Sequence, residues 1–226
     1  MDNKQYKLCL EVLRRLDEAG VLKAIILIGS WCVPFYKDYF GRVKYDSSIR
    51  TRDMDFLVPI PVNMKLKVNL AEMLKDLGFI IGFQGQEGYI RLDHPDLAIE
   101  FLVSETGRGS SKAYPLPMLG INAQPLRYLN LLAQNIIKVE VDGMDIRLPH
   151  PAIFAFHKLI VSQLRRKEEK GLKDEQDALR ILKALVEKNE QSIIKRYFDS
   201  IIPAWQKKII EVLQAMNEED ILKILK

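Results

Sequence analysis

Amphipathic stretches and short apolar runs alternate along the first two thirds of the chain. Residues 5–19 and 63–77 carry apolar side chains at the spacing of one helix face, and each stretch is followed by a glycine, so both predict helices. Asn63 would cap the second of them. Short apolar runs bounded by Gly or Pro are typical of buried strands. The predicted strands are residues 22–28, 54–58, 79–83, 88–92 and 97–103.

Two segments between these elements show no such periodicity. Residues 34–52 are aromatic and basic, and Gly107–Gln124 is rich in Gly, Ser and Pro, so both are predicted to be irregular. Asp142-Gly143 separates two further strand-like runs, residues 136–141 and 144–148, and this dipeptide is a strong hairpin signal.

The character of the chain changes after Pro149, where helical patterns take over. The predicted helices are residues 152–166, 174–188, 191–200 and 204–226. We therefore expect an α+β protein with a mixed α/β domain over residues 1–149 and a helical bundle over residues 150–226.

The composition, with 48% hydrophobic and 28% charged residues in a chain of 226, is that of a folded globular protein. A net charge of +4 permits an anionic substrate but is too small to indicate a dedicated nucleic-acid binder. No apolar run approaches the roughly 20 residues of a membrane helix, and the N-terminus lacks a signal-peptide layout, so we expect a cytoplasmic location and no membrane partner. Cys9 and Cys32 indicate neither a disulfide framework nor a zinc site.

The first candidate for chemistry is the Asp53-Met54-Asp55 sequence at the start of a predicted strand. Side chains alternate across a strand, so both carboxylates share one face while Met54 points to the other. Two neighbouring carboxylates favour a divalent cation, and hard oxygen ligands suit Mg²⁺. The alternative is that Asp53 caps a turn and Asp55 pairs with Arg50 or Arg52.

Glu100 is the single charged residue in the apolar run of residues 97–103. A buried carboxylate without a partner is costly, so Glu100 on a strand next to the two aspartates would complete a three-carboxylate metal site. The alternative is an edge strand with Glu100 facing solvent. Ala98 and Leu102 share its face and are apolar, which favours the ligand interpretation.

The third feature is Gly29-Ser30, directly after the first apolar strand. Glycine lets the backbone approach a phosphate closely, and a helix that begins there offers free N–H groups to an anion. A plain strand-to-helix turn would use the same two residues.

Taken together, the Gly-Ser turn, the Asp-x-Asp strand and the later strand with a lone acid resemble the nucleotidyltransferases of the DNA polymerase β superfamily, over residues 22–103. The resemblance implies an enzyme with a mixed sheet flanked by helices. It would move a nucleoside monophosphate from a nucleoside triphosphate (NTP) to a hydroxyl group and release pyrophosphate. Two Mg²⁺ ions, with Mn²⁺ as an alternative, would clamp the attacking and leaving oxygens.

The resemblance also assigns roles to residues. Gly29 and Ser30 would hold the triphosphate, and Asp53, Asp55 and Glu100 would bind the metal ions. Arg52 is added to the nucleotide-binding residues because a guanidinium pairs well with phosphate. The 22 residues between Ser30 and Asp53 are a longer spacing than the family pattern, and the aromatic and basic segment 34–50 within it would either bind substrate or only pack.

The C-terminal part resembles the helical half of nucleotidyltransferases related to abortive-infection and toxin–antitoxin systems. The residues that carry this resemblance are Lys158, Arg165, Arg166, Lys173, Asp174 and Asp177. It implies that Lys158 contacts the NTP phosphates and takes part in catalysis, and that Asp174 orients Lys158 or the acceptor, with NTP bound between the two domains. Chance placement in a charged helical bundle is the alternative, with Asp174 favoured only by a helix dipole.

The acceptor is left open among an RNA or tRNA end, a protein side chain and a small molecule, with RNA slightly favoured by the basic excess and the aromatic segment. A nucleotide-binding or antitoxin-like interaction module, which keeps the fold without turnover and binds a partner protein, is the main alternative function. A metal-dependent glycosyltransferase, which also uses Asp-x-Asp, is a weaker one, because too few residues precede Asp53 to build the usual nucleotide-binding half.

Overall fold

The computed structural model describes residues 3–43, 51–105, 111–165 and 169–226. The elements are, in chain order, α1 (Asn3–Glu18), β1 (Ile26–Ile28), α2 (Cys32–Phe40), β2 (Asp53–Leu57), α3 (Leu70–Met73), β3 (Ile80–Gln84), β4 (Tyr89–Asp93), β5 (Ala98–Ser104), β6 (Tyr114–Leu116), β7 (Ile121–Leu126), α4 (Leu129–Gln134), β8 (Ile136–Val141), β9 (Met144–Pro149), α5 (Pro151–Ser162), α6 (Glu169–Glu187), α7 (Gln191–Asp199), α8 (Pro203–Ala215) and α9 (Glu219–Leu225). The α+β fold that the sequence predicts is confirmed. None of the helices in these ranges combines the length and the apolar character that crossing a membrane takes.

The chain divides into two compact units. Met1–Phe35 and Ser48–Leu148 form the first, which we call the sheet unit, and Tyr36–Ser47 and Pro149–Lys226 form the second, which we call the helical unit. Helix α2 begins in the sheet unit and ends in the helical unit. The assignment of separate roles to residues 1–149 and 150–226 stays a prediction.

The sheet unit is built on a mixed sheet in the order β1-β2-β5-β4-β3. The central pair, β2 and β5, is parallel, whereas β1 pairs with β2, and β4 with both β5 and β3, in the antiparallel sense. Strand β7 pairs in parallel with the last residues of β5, and β6 pairs with β7. Strands β8 and β9 form a separate hairpin.

The two faces of the central strands differ in polarity. One face carries Met54, Phe56, Ile99 and Phe101, all of which are buried, and the rings of Phe56 and Phe101 stack with centroids 5.6 Å apart. Burial of this face stabilises the sheet and sets the register of the strands, because a slip of one residue would turn every apolar side chain outward. The polar residues of the same strands therefore all lie on the opposite face.

Helix α2 corrects the expectation that residues 34–52 are irregular. Cys32, Tyr36 and Phe40 are spaced four residues apart, all three are buried, and Tyr36 packs edge-on against Phe154 at 5.6 Å. Pro34 lies in the first turn, where a missing N–H costs no hydrogen bond. These buried aromatic side chains pack and are not available to stack on a base. Residues 44–50 lie outside the described residues.

The second helix of the N-terminal part is shorter than predicted. The N–H groups of Val68 and Leu70 donate to the carbonyls of Met118 and Leu119, so this stretch is held by tertiary pairing before a helix begins. Asn69, not Asn63, is the cap, because its side chain accepts from the N–H of Glu72 at 3.2 Å. Only Leu70–Met73 and a single 3-10 turn, Lys75–Leu77, are helical.

Two further expectations from the sequence were wrong. The segment Gly107–Gln124 was predicted to be a loop, and its residues 107–110 lie outside the described residues. The rest contains β6 and most of β7, because β7 pairs with the distant strand β5 and β6 pairs with β7. The predicted helix over residues 204–226 is divided into α8 and α9. Asn217 adopts a left-handed conformation there and the N–H of Glu218 donates to Leu213, as in a Schellman motif.

The helical unit contains two histidines that burial keeps neutral. Burial lowers the pKa of His150 to about 4, and burial together with the charge of Lys158 lowers that of His157 to about 3. His150 is the N-cap of α5, where its Nδ1 accepts from the N–H of Ala152. The Nε2 of His150 faces the Tyr39 hydroxyl at 2.9 Å, and that hydroxyl donates to Glu190.

We expect acid to destabilise the protein through these two imidazoles. The unfolded chain binds a proton near a pKa of about 6.5, whereas folded His150 does so only near 4, so the contribution is complete above about pH 6.5 and is lost as the pH falls toward 4. For His150 the loss is about 3 kcal/mol. Asn is also a good N-cap but does not titrate, so in His150→Asn the difference in unfolding free energy between about pH 8 and pH 4 should shrink by a similar amount. Equal pH profiles for the two proteins in urea unfolding would contradict this.

Candidate active site

Three carboxylates predicted to act together lie on one face of the sheet. In the parallel pairing of β2 with β5, Asp55 is the register partner of Glu100 and Asp53 is the partner of Ala98. Register partners lie side by side, and residues two apart in a strand share a face. Asp53 is exposed, whereas Asp55 and Glu100 are half-buried. The face opposite the apolar core is thus an acidic surface on two neighbouring strands.

Glu100 contacts side chains of β3 and β4, which lie on the opposite side of β5 from β2. Its Oε1 accepts from Nε2 of Gln84 at 2.9 Å and lies 3.8 Å from a guanidinium nitrogen of Arg91. Burial raises the pKa of Glu100 above its ordinary value. The hydrogen bond from Gln84 opposes this rise, the nearby charge of Asp53 adds to it, and the charge of Arg91 opposes it. The carboxylate therefore stands in a partly desolvated, negatively charged surrounding that a cation would relieve.

The turn after β1 brings the backbone against this acidic face. Ile28 is the register partner of Asp55, and Gly29 follows with φ 69° at the start of a 3-10 turn, Gly29–Trp31, that leads into α2. A Cβ atom at Gly29 would collide with Oδ2 of Asp55. Glycine is thus needed here both for the left-handed backbone and for the space that the carboxylate occupies.

Substitution of Gly29 by Ala is expected to displace the Asp55 carboxylate and to lower activity by about 10-fold or more, in the range seen when a group that orients a ligand is lost. Gly20 is the matched control, because its φ is 71° and a Cβ there would meet nothing within 4 Å. Both variants should lose about 1–2 kcal/mol of stability through backbone strain. Only Gly29→Ala should lose activity, and equal activity losses in the two variants would contradict the proposed contact.

Arg52, assigned to nucleotide binding, lies just before the two aspartates. Its guanidinium donates to the carbonyl of His94 at 2.9 Å, and its own carbonyl accepts from the N–H of Ala98. The side chain is exposed, so it could exchange the carbonyl for a phosphate.

Lys158 and Asp174 lie in the helical unit, within a buried ion-pair cluster. Nζ of Lys158 donates to Asp174 at 2.7 Å and to Asp177 at 3.1 Å, and Lys158 is only 5% exposed. Arg165 reaches Asp174 at 3.2 Å, and Arg180 pairs with Asp177. The cluster joins α5 to α6. Contact between Lys158 and an NTP phosphate stays a prediction, and it requires Nζ to give up one of these carboxylates. Arg166 lies outside the described residues.

Sequence reasoning missed the polar residues of β3 and β4 on the acidic face. Arg91 is the register partner of Glu100, and Asp93 forms an ion pair with Arg91 at 2.6 Å. Gln84 on β3 shares this face. In Tyr89–Asp93 polar and apolar side chains alternate with period two, a signal that could have placed Arg91 and Asp93 on one face. That pattern does not predict which strand pairs with this one.

A family model described as "Nucleotidyltransferase" matches residues 7–203. The chain belongs to this family. The resemblance to nucleotidyltransferases of the DNA polymerase β superfamily, drawn from the Gly-Ser and Asp-x-Asp strands, is thereby confirmed, and the protein is a nucleotidyltransferase. No curated protein matches the chain.

Solved structures similar to this chain include two of ANT(2'')-Ia and one of a protein from Paracoccidioides brasiliensis. The solution structure of the antibiotic-resistance factor ANT(2'')-Ia is 15% identical, with a TM-score of 0.47, and the match covers 87% of this chain and 95% of that one. ANT(2'')-Ia in complex with adenylyl-2''-tobramycin is 10% identical, with a TM-score of 0.48, over 88% and 99% of the two chains. An antigenic nucleotidyltransferase-like protein from Paracoccidioides brasiliensis is 13% identical, with a TM-score of 0.49, over 96% and 91%.

The acidic face offers carboxylate oxygens as possible metal ligands. Within residues 3–43, 51–105, 111–165 and 169–226, no group of three or more His, Cys, Asp or Glu side chains is arranged to hold a metal ion. Mg²⁺ keeps several waters and is commonly bound through one or two carboxylates together with substrate phosphates. Asp53, Asp55 and Glu100 supply carboxylates of this kind on adjacent strands, so the donor set fits Mg²⁺.

Proposed function

We propose that this nucleotidyltransferase moves a nucleoside monophosphate from an NTP to a hydroxyl group, with Mg²⁺ as the metal and Mn²⁺ as a substitute. The observation that carries the proposal is the placement of Asp53, Asp55 and Glu100 on one sheet face, with the Gly29 turn packed against Asp55. Because Gly29 has no side chain, its backbone lies directly against Asp55, so a triphosphate bound by the turn would lie next to the carboxylates.

The residues would divide the work as follows. Gly29 and Ser30 offer backbone N–H groups to the triphosphate, and Arg52 offers a guanidinium to it. Asp53, Asp55 and Glu100 would hold two Mg²⁺ ions. When bound, these ions would neutralise the charge that develops on the attacking and leaving oxygens. The acceptor oxygen bonds to the α-phosphorus, the bond from that phosphorus to the β-phosphate oxygen breaks, and pyrophosphate leaves with the bonding electrons.

As the resemblance implies, Glu100 would ligate the metal ion nearer the acceptor hydroxyl, which would favour loss of the hydroxyl proton to water. Lys158 would contact the triphosphate, and Asp174 would orient Lys158. The ion pairs of Lys158 with Asp174 and Asp177 oppose this contact, because Nζ would have to leave one of the two carboxylates.

We favour an RNA or tRNA end as the acceptor over a protein side chain or a small molecule. The aromatic segment supports this preference less than the sequence indicated, because Phe35, Tyr36 and Phe40 are buried and cannot stack on a base. The basic excess of the chain, 34 Lys and Arg against 30 Asp and Glu, still favours an anionic acceptor.

A module that binds NTP without turnover, as in an antitoxin-like role with a partner protein, is the second candidate. The observation that favours it is the lack, among the described residues, of a group of side chains arranged to hold a metal ion. The toxin–antitoxin link and the cytoplasmic location stay predictions.

The test is pyrophosphate release from each α-labelled NTP with Mg²⁺, with total tRNA, a protein mixture and polyols offered as acceptors in separate reactions. We expect label to move to one acceptor class. An Asp53→Asn/Asp55→Asn double variant serves as the control and should transfer nothing. Binding of NTP without release of pyrophosphate in every reaction would replace the transferase by the binding module.

A further inference from the structure

The carboxylate of Glu100 is held asymmetrically. Within the part of the chain that the structure describes, both of its polar contacts, the hydrogen bond from Gln84 and the ion pair with Arg91, fall on Oε1. Both partners come from the β4 and β3 side of β5, whereas Asp55 is the register partner on the β2 side. Oε1 is anchored away from the aspartates, and Oε2 is the oxygen left for a ligand on their side.

Gln84 makes the shorter of these contacts although it lies on β3, two strands away from Glu100 on β5. Its register partner is Tyr89 on β4, so its side chain crosses that whole strand to reach Glu100 on β5. The neighbouring residue Phe83 is 71% exposed on the other face, and Gln84 itself is half-exposed. The side chain therefore spans a neighbouring strand to orient one carboxylate and is not needed to fill the core.

The chemistry of the donor supports a role beyond holding the strands together. An amide N–H orients a carboxylate without adding a positive charge, so the contact with Gln84 does not compete with a cation for Glu100. Arg91 would neutralise it, but its guanidinium lies 2.6 Å from Asp93 and 3.8 Å from Glu100, so its charge is committed mainly to Asp93. Gln84 therefore orients Glu100 through a neutral donor, while Arg91 pairs more closely with Asp93 than with Glu100.

We propose that Gln84 is a positioning residue of this enzyme, which anchors Oε1 of Glu100 so that Oε2 is presented to a divalent cation beside Asp55. This rests on the proposed function, because it assigns Glu100 to metal binding. Groups that orient metal ligands in this way typically contribute about 10- to 100-fold to metal affinity or activity.

Three variants test the proposal, with Mn²⁺ alone as the probe. Gln84→Met keeps the length and removes the donor, and Gln84→Lys keeps a donor of similar reach but adds a positive charge. Gln86→Met, at an exposed position in the following turn, is the control. Binding is read from the free Mn²⁺ signal in electron paramagnetic resonance without NTP, and kcat, KM for NTP and thermal midpoint are measured beside it.

We expect Gln84→Met to weaken Mn²⁺ binding and lower kcat by about 10-fold or more, with KM for NTP and the thermal midpoint close to wild type. Gln84→Lys should bind Mn²⁺ no better than Gln84→Met, because its ammonium competes with the metal for Glu100. A purely structural tether predicts the reverse, with Lys restoring wild-type behaviour. Wild-type Mn²⁺ affinity in Gln84→Met, or rescue by Gln84→Lys, would overturn the proposal.

The outcomes separate this proposal from the proposed function. Mn²⁺ binding that depends on Gln84 in a protein that releases no pyrophosphate would retain the positioning role and remove the transferase. Pyrophosphate release that is unchanged in Gln84→Met would retain the transferase and remove the positioning role. Absence of Mn²⁺ binding by the wild-type protein would overturn the positioning role directly.

Discussion

Replacing Asp55 by Asn is expected to reduce nucleotidyl transfer by on the order of 10²–10³-fold or more, because it removes a negative charge that would hold the metal ions, which in turn neutralise the phosphate charge in the transition state. Asp53→Asn should behave alike. The amide has the shape of the carboxylate, Asp53 is exposed and Asp55 is half-buried, so the free energy of unfolding should change by less than about 1 kcal/mol. The measurement is kcat for transfer to the acceptor found in the screen, with denaturant unfolding of the same preparations.

Asp76→Asn is the control for this prediction. Asp76 is an acid of the sheet unit that lies outside the acidic strands and forms an exposed ion pair with Arg15. Its removal should change kcat by a few-fold at most. A loss in Asp76→Asn as large as that in Asp55→Asn would show that the effect is not specific to the Asp-x-Asp pair.

Replacing Lys158 by Met is expected to destabilise the protein by about 3–5 kcal/mol, the cost of leaving a buried charge without its partner. Asp174 and Asp177 are 8% and 4% exposed, and each accepts a hydrogen bond from Lys158. Arg165 and Arg180 remain, but their side chains are 46% and 42% exposed, so they compensate less. Urea unfolding of wild type and variant measures the difference.

The companion variants separate structure from catalysis at this cluster. Arg165→Met should cost no more than about 1 kcal/mol, since the Arg165 side chain is 46% exposed and Lys158 still pairs with Asp174. Adding Asp174→Asn and Asp177→Asn to Lys158→Met should recover part of the lost stability, because no carboxylate is then left buried and unpaired. If Lys158→Met has wild-type stability but a raised KM for NTP, the ion-pair role is wrong and phosphate contact is its function.

The acidic strands could be predicted because their signals are local. Period-two alternation in Asp53–Leu57 and the lone acid in Ala98–Ser104 identify which side chains share a face whatever the neighbouring strands are. The prediction of the family followed from these same residues and the Gly-Ser turn. The spacing of Cys32, Tyr36 and Phe40 held a comparable signal for α2, which the many aromatic and basic residues around it obscured.

The sequence by itself determined the α+β class, the buried strands that carry the acids and the membership of the nucleotidyltransferase family. Only the tertiary structure decided which strands pair, and hence that Asp55 adjoins both Glu100 and Gly29. It also decided that Asn69 replaces Asn63 as a cap, that β6 and β7 form, and that Gln84 reaches Glu100 across β4. The physical reason is that periodicity and caps act over a few neighbouring residues, whereas strand pairing and the neutralisation of buried charge depend on partners distant in the chain.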